Sequence, residues 1–242
     1  PQTTDVSYGR NATNGWSFFG SPTPEGPNVT EPLTTMNVAP AVTASLASGF
    51  YQGSQSVSLS SSGSEDAIRY TLDGSMPGPA SPVYSSPLSL TADTVLRARA
   101  FVSGWIPGPV LTRSIFVNEP TDRTLPVMSF VADPTSLFGD VPGIYENNSP
   151  YPYKGREVVT RVEYFDASGA PAFAVNTGIR IGGENNWVHA EKPLNIHMRG
   201  KYGDDVISYP GFPGEPESTF GDLNVRNGGG KWANAMLRAW GR

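Results

Sequence analysis

The sequence predicts a mainly β fold, in which an antiparallel β-sandwich is followed by a mixed α+β lobe. Short runs of alternating apolar and polar residues recur along the chain, with the period expected of half-buried strands. Valine, threonine, tyrosine and phenylalanine dominate these runs, whereas long helical periodicities are nearly absent. Clusters of glycine and proline separate the runs at the spacing typical of a sandwich.

Length and composition limit the classes of protein that need to be considered. A chain of 242 residues suits two compact domains, and its 11% of aromatic residues is enough to build packed cores. The net charge of −5 lacks the positive excess of a nucleic-acid-binding protein, so we expect no nucleic-acid partner. No apolar run has the length of a membrane span, and the absence of cysteine excludes disulfides and thiolate sites.

Residues 1–36 are predicted to be the end of a domain followed by a linker. The run Pro22–Asn28, PTPEGPN, excludes a helix or an interior strand, because its prolines lack N–H donors and restrict the backbone. With Trp16, this run resembles the closing strand and exit of a lamin-tail-type immunoglobulin-like domain, in which Trp16 would pack. A plain linker is the alternative. Asn28–Met36 has the composition of a polar linker.

The segment from Pro40 to Asn118 has the most regular strand pattern. We expect strands at the runs VSL, IRYTL, VLRARAF and SIFV, with a tight turn at Asp73-Gly74, where glycine accepts positive φ. The motif YTLDGS at Tyr70–Ser75, followed by SPVYSSPLSL and VLRARAF, resembles the chitobiase/β-hexosaminidase C-terminal module. That resemblance implies an Ig-like β-sandwich over residues 37–119 that serves as a spacer or accessory domain.

Two binding roles within this sandwich remain alternatives to structural ones. The rings of Tyr70, Tyr84 and Trp105 would form a sugar-stacking face in one interpretation and pack in the core or against another domain in the other, and their alternating strand positions favour packing. The carboxylate of Asp73 would bind Ca²⁺ in one interpretation and cap its turn in the other, and the turn position favours capping.

The lobe over residues 120–242 is predicted to begin with a strand at Leu125–Ala132. Asp133 should cap a helical turn with Pro134 in its first turn, where the missing N–H costs nothing. Asp140, about one turn further on, forms a candidate cation site with Asp133. We further expect a hairpin from Glu157–Asp166 back through Ala172–Val175, and a helix over Trp232–Trp240.

The densest group of cations lies between Val175 and Tyr202. Two alternating segments, GIRI and PLNIHM, flank a glycine- and asparagine-rich turn, and the group comprises Arg180, Lys192, Arg199 and Lys201. In an acidic protein, such a local cluster indicates an anionic ligand, with phosphate the natural candidate. A solvated hairpin with ordinary surface charges is the alternative.

Other catalytic chemistries find little support in the sequence. The two histidines, His189 and His197, have no neighbours at metal-ligand spacing; we expect His197 to face solvent or a backbone group, and His189 is the better ligand candidate. Asp204 and Asp205 would point to opposite faces of an extended chain. The run Gly228–Trp232 lacks both the first glycine and the Ser/Thr of a P-loop, so we reject that motif.

The run GIRIGG…EKPLNIHMRGKYG resembles the N-terminal half of the spore-coat-protein-H (CotH) kinase-like family. The likeness extends to LPVMSFVADPTSLFGDVPGIYENN, RVEYFDASG and FGDLNVRNGGGKW. It implies a kinase-like N-terminal lobe over residues 120–242 in which Arg180, Lys192 and Arg199 bind the phosphates of ATP, with Mg²⁺ as the metal. The family often has aspartate where Lys231 and Ala239 stand, and we expect the metal-binding and catalytic aspartates to lie beyond Arg242.

Two hypotheses about function follow. In the first, the chain is part of a secreted or cell-surface, multidomain bacterial kinase-like protein and is not catalytically complete by itself. Its partners would be neighbouring domains of the same parent chain and a protein substrate or cell-surface component. In the second, it is a non-catalytic extracellular scaffold, adhesion or carbohydrate-associated module.

Overall fold

The computed structural model describes most of the chain, and its secondary structure is mainly β. The described residues are 6–20, 32, 33, 35, 37–63, 67–120, 122, 124–139, 143–145, 156–182, 192–212, 214, 216–226 and, for the backbone alone, 239–241. The predicted features at Pro22–Asn28, Asp140, His189 and Gly228–Trp232 lie outside them. No described helix is long and apolar enough to span a membrane.

The described residues form eighteen strands, one α-helix and a 3₁₀ turn. The first ten strands are β1 (Ser7–Arg10), β2 (Trp16–Phe19), β3 (Val42–Ala44), β4 (Gly49–Tyr51), β5 (Gln55–Val57), β6 (Leu59–Ser61), β7 (Ala67–Thr71), β8 (Leu88–Leu90), β9 (Thr94–Phe101) and β10 (Leu111–Val117). They are followed by β11 (Val127–Val131), α1 (Pro134–Phe138), β12 (Val158–Phe165), β13 (Pro171–Ile181), β14 (Leu194–His197), the 3₁₀ turn Gly200–Tyr202, β15 (Ile207–Ser208), β16 (Thr219–Phe220), β17 (Asp222–Val225) and β18 (Ala239–Gly241).

The chain divides into two compact units, one comprising residues 1–47 and 52–117 and the other residues 48–51 and 118–242. In the first unit, β10, β9 and β7 are antiparallel neighbours in that order, and β3–β6, β5–β8 and β1–β2 form antiparallel pairs. Apolar side chains from these strands are buried, as expected of a sandwich, and include Val57, Leu59, Ile68, Leu90, Leu96 and Ile115.

The predicted VSL strand is in fact two strands that pair with different partners. β5 ends at Val57 and pairs with β8, whereas β6 begins at Leu59 and pairs with β3. Between them, the N–H of Ser58 donates to Ser45 Oγ at 2.9 Å and its carbonyl accepts from the N–H of Ser45 at 2.9 Å. Period-2 alternation does not reveal this change because it continues through the crossing residue.

The Asp73-Gly74 turn is confirmed, and Asp73 caps it. Gly74 has a φ of 80°, and Asp73 Oδ1 accepts from the N–H of Ser75 at 2.9 Å and from its hydroxyl at 2.6 Å. Hydrogen bonds from Ser75, the hydroxyl first, lower the pKa of Asp73. No group of three or more potential metal ligands occurs among the described residues.

The second unit is built on one antiparallel sheet with the order β11, β12, β13, β14, β17, β18. The two predicted segments Ala172–Val175 and GIRI belong to a single long strand, β13, which pairs with β12 along its length and with β14 at its end. The predicted cap of α1 is confirmed, because Asp133 Oδ1 accepts from the N–H of Thr135 at 3.0 Å with Pro134 in the first turn.

The helix predicted over Trp232–Trp240 is wrong at its carboxyl end. Ala239–Gly241 forms strand β18, in which Trp240 lies opposite Asn224 of β17, while residues 231–238 lie outside the described part of the chain. The apolar spacing is compatible with a helix, but the backbone here pairs with the free edge of β17. This pairing gives hydrogen-bond partners to backbone N–H and C=O groups that the end of an isolated helix would leave to solvent.

The sheet of the second unit has one core face and one polar face. Val162, Ile179, Ile196 and Leu223 lie on the core face and are almost fully buried. Because neighbouring residues alternate, the positions between them point the other way. We call this second side the polar face, defined by Asn176, Gly178, Arg180, Asn195, His197 and Asp222.

Gly178 makes room for a loop that covers part of the polar face. A Cβ at this position would overlap the ring of Tyr202. Gly203, which follows Tyr202 in the same loop, lies beside the side chain of Asn176. Asp204 Oδ2 accepts from the N–H of Asn176 at 2.7 Å. The absence of a side chain at Gly178 is therefore what allows Arg199–Asp205 to lie against β13.

We expect Gly178→Ala to lower the free energy of unfolding by about 1–3 kcal/mol, because the new methyl group must displace Tyr202. The measurement is urea unfolding of the wild type and the variant. Gly221→Ala is the matched control, since a Cβ at Gly221 meets nothing within 4 Å, and its effect should stay within about 0.5 kcal/mol. Equal effects of the two substitutions would contradict the role of Gly178.

Candidate functional site

A largely buried carboxylate, Glu157, organises the cations at the polar face. It lies just before β12, and its side chain is 11% exposed. Glu157 Oε2 accepts from the hydroxyl of Tyr202 at 2.6 Å, and Oε1 accepts from Arg199 Nη2 at 2.8 Å. The ammonium of Lys201 lies 3.4 Å from Oε2. One acidic group thus holds three residues of the covering loop against the edge of the polar face.

The protonation of Glu157 follows from these contacts. Burial by itself raises the pKa of Glu157, but the hydrogen bonds from Tyr202 and Lys201 and the charges of Arg199 and Lys201 outweigh it. The pKa of Glu157 therefore lies below the ordinary value of 4.5. Burial, followed by the hydrogen bond to Glu157, raises the pKa of the Tyr202 phenol. The carboxylate is ionised at neutral pH and stabilises the loop in that form.

Arg199 and Arg180, two of the three predicted phosphate ligands, differ in their partners. The guanidinium of Arg199 is paired with Glu157, although its side chain remains 51% exposed. Arg180 lies on the polar face opposite Asn195 and is half-buried. Within the described part of the chain, Arg180 takes part in no ion pair. Among the described residues, Arg180 and Arg161, which lies opposite Asn176, are both cations of this face without an ion pair.

Lys192, the third predicted ligand, lies in a different environment from the two arginines. The residue is 7% exposed, and its Nζ lies 4.7 Å from the centre of the Tyr145 ring. Its backbone N–H donates to the Tyr145 hydroxyl at 3.1 Å. Ile144, next to this tyrosine, belongs to the buried core of the sheet. Lys192 is thus on the core side, whereas Arg180 is on the polar face. Whether the three cations share one phosphate stays a prediction.

His197 does not face solvent or bond to a backbone group, so that prediction is wrong. The residue is 9% exposed, and its Nδ1 lies 2.7 Å from Asp222 Oδ1 on the neighbouring strand β17. Its Nε2 is buried without a hydrogen-bond partner among the described residues. The sequence offered no signal for this pair, because the two residues are 25 positions apart and become neighbours only through strand pairing.

Tyr145, Glu157 and Tyr202 contribute to this region but were not singled out in the sequence. Tyr145 and Tyr202 lie within runs that carry the family resemblance, but the resemblance assigned them no role. Glu157 precedes an apolar strand, where a charged residue is unremarkable, and Tyr202 follows a cationic run that drew attention to its neighbours instead. Their roles depend on contacts over more than 40 positions of sequence, which no local pattern encodes.

Exposed aromatic side chains of the first unit are concentrated on the β1–β2 hairpin. Tyr8, Trp16 and Phe18 are 57%, 56% and 42% exposed and lie on the same face of the hairpin. The rings of Tyr8 and Trp16 are stacked at 5.2 Å, and the guanidinium of Arg10 lies 4.5 Å from the Trp16 ring. The expectation that Trp16 would pack into a core is therefore wrong. Phe19, on the other face, is buried instead.

The aromatic set that the sequence suggested as a sugar-stacking face is less accessible. Tyr70, Tyr84 and Trp105 are all half-buried. Of the three, only Tyr70 lies in a strand, β7, and the alternation of the sequence did not distinguish this set from the hairpin rings, which are more exposed. Of the two sets, the hairpin presents more open aromatic surface.

Glu157→Gln should destabilise the protein by about 1–3 kcal/mol at neutral pH, because it removes the charge that binds Arg199 and Lys201. Since the folded-state pKa of Glu157 is depressed, its stabilising effect is present above pH 4.5 and is lost as the pH falls below that value through the folded-state pKa. Urea unfolding at about pH 7 and about pH 3 measures the difference between wild type and variant. A difference that is the same at both pH values would contradict this assignment.

One part of the chain matches a known protein family. Residues 46–112 are similar to the chitobiase/beta-hexosaminidase C-terminal domain, and they lie within the strands β3–β10 described above, from just after β3 into β10. No curated protein and no solved structure matches the chain. The predicted resemblance of the sandwich module is therefore supported by an independent family match.

Proposed function

We propose that the second unit is the phosphate-binding lobe of a CotH-like, kinase-like protein that uses ATP and Mg²⁺, and that the sandwich is an accessory module. Several motifs of that family occur in the expected order, from the strand around Met128 to the strand around Leu223. The strands that carry these motifs are neighbours in one antiparallel sheet, which provides a rigid support for a ligand site.

The observation that carries this proposal is the burial of Lys192. Lysine is almost never fully buried unless its charge is stabilised, because removing an ammonium from water is costly. Here a side chain that is 7% exposed is held with its ammonium over an aromatic ring. A desolvated cation binds phosphate oxygens more strongly than a fully hydrated one, as the lysines of nucleotide-binding sites do.

The two arginines have secondary roles in this proposal. Glu157 neutralises much of the charge of Arg199. In this proposal Arg199 therefore helps to hold the covering loop in place, while its exposed side chain still reaches solvent. Arg180 takes part in no ion pair within the described residues, but it lies on the polar face, so its contact with the phosphate that Lys192 binds stays a prediction. The protein belongs outside the bacterial cell or at its surface in this proposal, as the resemblance implies.

Binding of ATP·Mg²⁺ by this chain, measured by isothermal titration calorimetry, tests the proposal. We expect Lys192→Ala to weaken binding roughly tenfold to a hundredfold, because one charge-assisted contact with phosphate contributes about 1.5–3 kcal/mol. Arg113→Ala is the control. It removes an equal charge from β10 of the first unit, where Arg113 Nη1 donates to the carbonyl of Thr112 at 3.0 Å.

The control variant should bind as the wild type does. Absence of heat from the wild-type chain, or equal weakening by the two substitutions, would overturn the phosphate-binding function. Urea unfolding of each variant shows whether a loss of binding reflects a loss of the folded state.

A second candidate function is favoured by the aromatic hairpin together with the family match. The matched domain is named for chitobiase and β-hexosaminidase. Tyr8, Trp16 and Phe18 offer apolar rings to solvent in the same unit. Aromatic rings stack on the apolar faces of pyranoses, and the O–H of tyrosine and the N–H of tryptophan can hydrogen-bond to the hydroxyls of the sugar. In this alternative, the chain is a carbohydrate-associated module.

For this second function, we expect Trp16→Ala to weaken binding to N-acetylglucosamine oligomers at least about fivefold, because a ring contact contributes about 1 kcal/mol beyond its buried area. Trp105→Ala, at a half-buried ring of the same unit, should leave the affinity unchanged. Titration of the oligomers monitored by tryptophan fluorescence provides the measurement. Loss of binding in Trp105→Ala alone would overturn the hairpin as the sugar site and assign that site to the set of Tyr70, Tyr84 and Trp105.

A further inference from the structure

We infer that Asn14 is a site of spontaneous deamidation and that the side chain of Asn11 slows this reaction in the folded protein. Both residues lie in the loop that joins β1 to β2, and Asn14 is exposed and followed by Gly15. Glycine has no Cβ, so an asparagine side chain meets little steric resistance at the amide nitrogen of a following glycine. The inference depends on neither of the two proposed functions.

Deamidation of an asparagine–glycine pair needs only water as co-reactant. The backbone nitrogen of Gly15 loses its proton and attacks Cγ of Asn14, a cyclic succinimide forms, and the side-chain nitrogen leaves as ammonia. Water then opens the ring at either of its carbonyls. The product is aspartate or isoaspartate, and in isoaspartate the backbone runs through Cβ and Cγ while the former backbone carbonyl becomes a carboxylate.

The backbone of Asn14 opposes ring closure. Its φ is 62°, in the left-handed region, where ψ is positive as well. For an L-residue, this combination places the nitrogen of Gly15 on the side of the Cα–C bond that lies away from Cβ. The succinimide requires the same nitrogen and Cβ to lie on one side of that bond. The peptide unit between Asn14 and Gly15 must therefore rotate before the nitrogen can attack.

Hydrogen bonds at both ends of this peptide unit resist the rotation. The carbonyl of Asn14 accepts from Arg10 Nη1 at 2.6 Å, and the N–H of Gly15 donates to Asn11 Oδ1 at 2.8 Å. Because the peptide unit is planar, one rotation breaks both contacts. The proton that the nitrogen must lose is also the one that Asn11 Oδ1 accepts.

The side chain of Asn11 is itself fixed in this position. Its Oδ1 also accepts from the N–H of Thr13 at 3.1 Å and from the Thr13 hydroxyl at 2.9 Å, and its Nδ2 donates to Ser17 Oγ at 2.8 Å. A Cβ on Gly15 would lie 3.2 Å from Asn11 Nδ2, so the glycine packs directly against this amide. Asn11 therefore keeps its acceptor oxygen on the nitrogen that would attack.

Deamidation at Asn14 changes the aromatic face of the hairpin. In isoaspartate, the carbonyl to which Arg10 donates becomes a carboxylate, and the guanidinium of Arg10 lies 4.5 Å from the centre of the Trp16 ring. The additional backbone atom also lengthens the loop between Arg10 and Trp16, which lie opposite each other in the strand pair. The modification therefore alters the support of the exposed ring of Trp16.

The rate of deamidation at Asn14 tests the inference. The protein is incubated at mildly alkaline pH, both folded and in guanidinium chloride, and peptide mapping by mass spectrometry measures the conversion of Asn14. The sequence has a second Asn-Gly pair, Asn227-Gly228, which gives a reference rate in the denatured chain. We expect similar rates at the two sites in denaturant, and a rate at Asn14 that is at least about tenfold lower in the folded protein.

Three substitutions separate the contacts of Asn11. Asn11→Ala removes the acceptor of the Gly15 N–H, and we expect deamidation at Asn14 in the folded protein to accelerate at least about fivefold. Asn11→Asp keeps an acceptor oxygen at the same place, so the rate should stay within about twofold of that of the wild type. Ser17→Ala is the matched control, because it removes only the partner of Asn11 Nδ2, and it should leave the rate unchanged.

Hydrogen exchange of the β1 and β2 amides, measured by mass spectrometry, shows whether each variant keeps the hairpin paired. If Asn11→Ala loses the pairing, Asn11→Asp decides: slow deamidation supports the role of the acceptor oxygen, and a rate equal to that of Asn11→Ala overturns it. A paired Asn11→Ala variant with the wild-type rate overturns that role as well. Equal rates at Asn14 in the folded and denatured wild type, or no conversion of Asn14 in denaturant, overturn the inference as a whole.

Discussion

The pairing register of β12, β13 and β14 is the constraint on which the second unit depends. Ile179 lies opposite Val158 on one side and Ile196 on the other, so three apolar side chains meet on one face of the sheet. A shift of one residue in β13 would turn Ile179 outward and bring the neighbouring Gly178 and Arg180 into the core. Burial of the apolar set and exclusion of that arginine both favour the observed register.

The same register determines where charge can be used. Arg180 and Lys192 are close in sequence, but Arg180 lies on the polar face and Lys192 lies on the core side. Glu157, Arg199 and Tyr202 tie the covering loop to one face, while Tyr145 holds Lys192 on the other. A single acidic side chain and a single ring thus divide the cations of this hairpin between the two faces of the sheet. Glycine at position 178 allows this division, because the covering loop needs the space that a side chain would fill.

Several parts of the fold could be predicted because their causes are local. The Asp73 turn and the Asp133 cap depend on side chains bonding to an amide two residues away, and both were predicted correctly. The mainly β character follows from alternation and composition in the same way. The first unit's strands around Val57 and Leu59 show the limit of this reasoning. Alternation identified strand-forming residues, but it did not show that the chain changes partner at Ser58.

The sequence by itself determined the strand-forming runs, the turns, the capped helix and the presence of a cationic segment, since each depends on neighbours within a few residues. Only the tertiary structure decided that His197 pairs with Asp222, that Trp16 is exposed, that Ala239–Gly241 adds a strand, and that Tyr145 lies under Lys192. These contacts arise from the order and register of strands distant in sequence, or from chain folding back over a sheet. The residues involved carry no local pattern, because the free energy that brings them together comes from burial of the whole apolar face rather than from the pairs themselves.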